Sequence, residues 1–342
     1  MNLDELIGKF LERTGYLNND RISAIVVYGS RVRGTNKTTS DLDILVITEN
    51  RRNIKAAMII DGIKVDYNIF SSYDLFEIAY EKRMANNAYF ESILKSGRVI
   101  KNNGILEEFE AYLDELSDMK IHKRKLSSKV LEEIKNLYEN FTSSKSSYWY
   151  FNLLEKLRMT YNYLKNCSYV SMVKVYEVFS NSEFYEDAYS IKLPSSDFIS
   201  LFLDGVNVKN FEIQLKIVNK IMFNLGIDIY KEVDYIEDSA EFFYENDIKS
   251  ELLVIYNKVE KVIDFLSNNH PYADYAYNVL LRQIELFYQR VYRSISKEIS
   301  DALKSANNIS NGERIRTLKG LFGIVDKDYR FDYDNYMLKL NL

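Results

Sequence analysis

Asp41 and Asp43 open the apolar run "DLDILVIT", and their spacing has a chemical meaning. Residues i and i+2 of a strand face the same way, so the two carboxylates project together while Leu42 and Ile44 face the core. Carboxylates held side by side repel unless a cation compensates them. A divalent ion meets that need, because Mg2+ accepts one or two carboxylates and fills its remaining positions with water and phosphate oxygens. A third acid, Asp66, stands alone among apolar residues in "IKVDYNIF". On a neighbouring strand it would face the same way, and three carboxylates could hold two ions about 3.5–4 Å apart.

Upstream, the run "AIVVY" ends in Gly29-Ser30 and passes through "RVRG". A glycine after a strand lets the backbone come close to a phosphate, and a helix start after it would offer amide N–H groups. The Ser30 hydroxyl can donate to a phosphate oxygen, and Arg31 and Arg33 add positive charge nearby. The stretch from Val26 to Ile47 therefore predicts a triphosphate cradle joined to metal ligands by one tight connection.

These residues resemble the nucleotidyltransferases of the DNA polymerase beta superfamily. Their signature is Gly-Ser after an apolar run, roughly a dozen residues, then Asp-x-Asp between apolar positions. Here it reads "YGSRVRGTNKTTSDLDILV", close to the bacterial form, and the likeness runs to "ESILKSGRVIKNN". The resemblance implies transfer of a nucleoside monophosphate from an NTP, ATP first, with release of pyrophosphate. It implies that Gly29 and Ser30 bind phosphate, that Asp41, Asp43 and Asp66 hold two Mg2+ ions, and that Asp66 serves as base toward the incoming hydroxyl. The segment "SYWYFNLLEKLRMTYNYLKNCSYVSMVKVYEVF" loosely resembles the helical substrate domain of kanamycin-type nucleotidyltransferases. By that likeness Glu155 is a further candidate base and Lys174 a candidate triphosphate ligand, against the plainer reading of both as surface charges.

The elements that must position these groups are legible in outline. Leu3, Leu6, Ile7, Phe10 and Leu11 recur at helical spacing. Strands are expected at Ile22–Tyr28 and Asp41–Thr48, and two more joined by Asp61-Gly62, a dipeptide suited to a tight hairpin. From Asp74 the period turns helical through "RVIKNN", with Gly97 and Lys101–Gly104 marking the end of a first domain. Helices are expected at Ile105–Leu116, Ser127–Phe141, Tyr148–Lys165 and beyond. The expected fold class is α+β, a small mixed sheet followed by a predominantly helical region. The domains expected are 1–104 for nucleotidyl transfer, 105–233 for substrate, and 234–342 of unassigned role. Punctuation at Leu193–Ser196, Asp234–Glu241 and Asn268–Pro271 supports divisions among the helices.

Composition excludes several classes. A net charge of −5 argues against broad sequence-independent binding of nucleic acid, which draws on many lysines and arginines. The single cysteine, Cys167, cannot form an intramolecular disulfide and suits a reducing compartment. It reads as a core thiol. His122 and His270 are the only histidines, too few for a zinc site. Thr35 stands where a P-loop after Gly29 would need lysine. The basic run Lys120–Lys129 reads as a solvated helix start. The N-terminus reads as an amphipathic helix rather than a signal peptide, and no apolar run approaches membrane length. A cytoplasmic bacterial enzyme with a small-molecule acceptor, an antibiotic or metabolite, is the expectation. The alternatives are a protein or tRNA acceptor, as in toxin–antitoxin systems, and a non-catalytic nucleotide-binding module.

Overall fold

The computed structural model describes residues 2–34, 40–50, 53–84, 89–118, 126, 128–189, 191–229, 248–292 and 309–329. The chain separates into two compact units. One includes Met1–Ile121 and Glu183–Ile191, the other His122–Ser182 and Lys192–Phe331.

The first unit begins with helix α1 (Leu3–Thr14), capped by Asn2, whose Oδ1 accepts from the Glu5 amide at 2.8 Å, and closed by Gly15 at φ 66°. Strands β1 (Ile22–Tyr28), β2 (Leu42–Thr48), β3 (Ile54–Ile60), β4 (Ile63–Ser71) and β5 (Arg98–Asn102) form one sheet in the order β3-β4-β2-β1-β5. β2 and β4 run parallel, and the remaining neighbours are antiparallel. Asp61 and Gly62, at φ 48° and 79°, make the tight β3–β4 turn.

Each sheet face has its own core. α1 brings Leu6, Ile7 and Phe10 against Ile25, Val27, Ile44 and Tyr67. On the opposite face, α2 (Leu75–Met84), α3 (Tyr89–Ser96) and α4 (Ile105–Asp118) cover Ala24, Val26, Leu45 and Ile47. With both faces covered, β2 can carry the unbroken apolar run Ile44–Ile47 rather than alternating.

Arg98–Asn102 corrects the sequence reading, which continued the helical period through this stretch. It is an edge strand paired with β1. Five residues with a half-exposed pattern carry no clear period-2 signal. Gly97 enables the transition, because a Cβ there would lie 2.5 Å from the Ile93 carbonyl oxygen and 2.6 Å from Val26 Cγ1.

Further along are α5 (Ser128–Ser144), α6 (Ser147–Lys165), α7 (Val175–Ser180), α8 (Ser182–Tyr189), α9 (Ser196–Asn207), α10 (Phe211–Leu225), α11 (Ile248–Ser267), α12 (Ala273–Tyr292) and α13 (Asn311–Tyr329). α6 is central to the second unit, packing on α5, α9, α10 and α12. It buries unusual polar groups. Both Glu155 oxygens accept from Arg158, at 2.6 and 2.7 Å, and the hydroxyl of Tyr275 on α12 donates to the same carboxylate. The arrangement recurs in reverse, since Glu285 on α12 accepts from Arg282 and from Tyr148 on α6, each at 2.6 Å. Cys167 is buried, as expected of a core thiol. Ser195 caps α9 and Asn268–Pro271 breaks α11 from α12, whereas Asp234–Glu241 lies outside the described residues. So do His122 and most of Lys120–Lys129. No helix among the described residues is long and apolar enough to cross a membrane.

Candidate active site

Strand pairing decides which of the acids meet. In the parallel β2–β4 ladder Asp43 sits opposite Asp66, and in the β1–β2 ladder Tyr28 sits opposite Asp43. Registered residues face the same side of a sheet, so Tyr28, Asp43 and Asp66 form one row on the face covered by α2–α4. Asp41 precedes β2 by one residue and is drawn toward the row by Lys64. The Lys64 ammonium is 3.2 Å from Asp66 Oδ2 and 3.8 Å from Asp41 Oδ2. Sequence reasoning missed Lys64, although its position two residues before Asp66 puts it on the same face.

Asp66 is 7% exposed. Burial pushes its carboxyl above the usual carboxylate range, Lys64 opposes that shift, and Asp41 adds to it by like-charge repulsion. The basicity of a partly desolvated carboxylate suits proton acceptance better than that of an exposed one. Behind the row lies a small polar network. The Asn68 amide donates to the hydroxyls of Tyr28 and Tyr89 at 3.1 and 2.9 Å, and the two hydroxyls are 3.0 Å apart. Burial, before any other cause, raises the pKa of both phenols, so they stay neutral beside Asp43.

Gly29 meets this row at close range. Its φ is +90°, and a Cβ built on it would lie 2.3 Å from Asp43 Oδ2. Only glycine satisfies both the backbone angle and the approach. After Ser30 the expected helix start is replaced, among the described residues, by a turn running to Gly34, with the Arg33 amide 3.4 Å from the Gly29 carbonyl oxygen. Arg31 spends its Nε on the Ser40 carbonyl at 2.6 Å, tying the turn to the residue that precedes Asp41.

Among the described residues no three His, Cys, Asp or Glu side chains close into a metal-binding group. The donor set nevertheless fits Mg2+. Asp41, Asp43 and Asp66 offer hard carboxylate oxygens, a cation already sits between Asp41 and Asp66, and Gly29 leaves the space beside Asp43 that a Cβ would fill. Glu155 and Lys174 belong to the helical unit. Glu155 is 8% exposed with its oxygens engaged as described, and Lys174 pairs with Glu177 at 3.2 Å near the start of α7.

Comparison with known proteins gives one match to a family model, described as Polymerase beta, Nucleotidyltransferase, over residues 14–104. No curated protein matches the chain. The matched segment spans all five strands of the sheet, the Gly29 approach and the Asp43–Asp66 pair. Residues 14–104 thus match the polymerase beta nucleotidyltransferase family.

Proposed function

We propose that this protein is a Mg2+-dependent nucleotidyltransferase, moving a nucleoside monophosphate from an NTP, with ATP first, to a hydroxyl of a small acceptor such as an antibiotic or metabolite. The observation that carries the reading is the approach of Gly29 to Asp43, beside an Asp66 in register on the next strand.

In this reading Asp41, Asp43 and Asp66 hold two Mg2+ ions. Bound there, the ions would supply neutralisation of phosphate charge and acidify the acceptor hydroxyl. Gly29 and Ser30 receive the triphosphate, and Arg31 and Arg33 add positive charge around it. Asp66 takes the proton as the acceptor oxygen bonds to the α-phosphorus and the bond to the bridging oxygen breaks, so that pyrophosphate leaves. Lys64 orients Asp66 and offsets its charge until nucleotide arrives. Catalysis is then mainly positioning and preorganised electrostatics. In this proposal the chemistry falls to residues 1–104, acceptor binding to 105–233 and no role to 234–342.

The test is incubation with Mg2+, labelled NTPs and a panel of hydroxyl-bearing acceptors, with tRNA and self-labelling arms. Transfer or nucleotide binding by wild type that is lost in Asp43→Ala supports the reading. Wild type that neither binds nor transfers any nucleotide overturns it.

A further inference from the structure

The helical unit contains a cavity of about 560 Å³ that belongs to no part of the chemistry above. That volume lies in the range of roughly 300–1,000 Å³ typical of small-molecule sites. Three helices begin on its wall: Ser147 of α6, Ala273 of α12 and Asn311 of α13 are each a first helical residue and each line it. Helix starts carry partial positive charge from their unpaired amides. Among the charged lining residues, the cations Lys209 and Arg314 outnumber the single acid, Asp274.

Arg314 gives the second, independent indication. It is only 9% exposed, and its Nη1 donates to Asp274 Oδ1. Its buried Nε has no hydrogen-bond acceptor among the described residues. A buried guanidinium donor left without an acceptor is costly. Lys209 is 89% exposed in its side chain and stands 3.8 Å from Asp274 Oδ2, a loose pairing that leaves it able to swing to a ligand. Asn278, 1% exposed, lines the same wall, and its buried side-chain oxygen Oδ1 has no donor among the described residues. The wall thus has a cation and a donor left over for an anion, and an acceptor for a hydroxyl.

We infer that this cavity binds a small molecule bearing a phosphate or carboxylate group together with hydroxyls. The anionic group lies against Arg314 and Lys209, and a hydroxyl donates to Asn278. Asp274 holds Arg314 in place and neutralises one cation, so a single negative charge on the ligand balances the wall. This inference stands apart from nucleotidyl transfer and needs neither nucleotide nor metal.

The experiment is isothermal titration of the full chain, in EDTA and at constant ionic strength, with glucose 6-phosphate, gluconate and glucose. Saturable one-to-one binding of glucose 6-phosphate or gluconate but not glucose is expected, and the stronger of the two identifies the anionic group. Lys209→Gln, an exposed position chosen to leave folding intact, should weaken binding at least fivefold. Lys220→Gln, exposed on α10 and away from the cavity, should not. Ser30→Ala should not either, which separates this site from the proposed triphosphate cradle. No saturable binding by any of the three, equal binding of glucose, or equal loss in Lys220→Gln or Ser30→Ala would overturn the inference.

Discussion

Gly29→Ala separates backbone strain from collision at the proposed active site. At φ +90° an alanine carries a strain of about 1–3 kcal/mol. Its Cβ would also start 2.3 Å from Asp43 Oδ2, where ordinary contact begins near 3.4 Å, so the carboxylate must retreat by about 1 Å. Relief is cheap in stability because the colliding atom ends a flexible side chain. It is expensive in function, since a displacement of about 1 Å can cost on the order of 100-fold in rate. Gly15→Ala is the matched control: φ is +66°, and nothing lies within 4 Å of the added carbon. Both variants should lose similar stability in urea, while only Gly29→Ala should lose Mg2+-dependent nucleotide turnover. In an Asp43→Asn background, Gly29→Ala should add little further loss. A Gly29→Ala protein within threefold of the Gly15→Ala rate would refute the placement of Asp43 at the reacting phosphate.

Other expectations follow from the same structure. Lys64→Met leaves Asp41 and Asp66 facing each other without their shared ammonium, so stability should fall by about 1–3 kcal/mol in EDTA and recover on adding Mg2+, read by thermal denaturation. Arg158→Met strands the buried Glu155 carboxylate and should cost about 3–5 kcal/mol. The double variant Glu155→Met/Arg158→Met should recover more than half of that, and a double variant no more stable than the single would count against the ion-pair account. Tyr16 is buried, and burial pushes its phenol up to about 12. Its folded pKa exceeds the ordinary phenol value, so the folded state holds more protons and stability falls as pH rises from about 10 toward 12. Tyr16→Phe should remove that part of the alkaline slope while changing little at neutral pH.

The spacing of the paired acids was the most legible part of the sequence because it is short-range. Asp41 and Asp43 could be placed on one face from strand periodicity alone, and the hairpin turn from Asp61-Gly62. The parallel register of β2 and β4, which makes Asp43 and Asp66 partners, is a long-range choice that no local pattern carries. β5 escaped for a related reason: five residues on a sheet edge are recognisable mainly by the strand they pair with. Lys64 carried a signal, its i−2 relation to Asp66, that only matters once β4 is known to lie beside β2. The cavity of the helical unit was invisible, since its wall gathers Ser147, Lys209, Asp274 and Arg314 from distant segments.

The mirrored clasps between α6 and α12 have a mechanical consequence. Tyr148 reaches Glu285 near the start of one helix, and Tyr275 reaches Glu155 near the start of the other. Sliding either helix by one turn, about 5.4 Å, would break both tyrosine–carboxylate bonds together and leave each buried acid with only the arginine of its own helix. The same two helices supply Ser147 and Phe151, and Asp274 and Asn278, to the wall of one hollow. Two of the helices that line it are thus fastened to each other at two points, so separating them there must break a buried tyrosine–carboxylate bond.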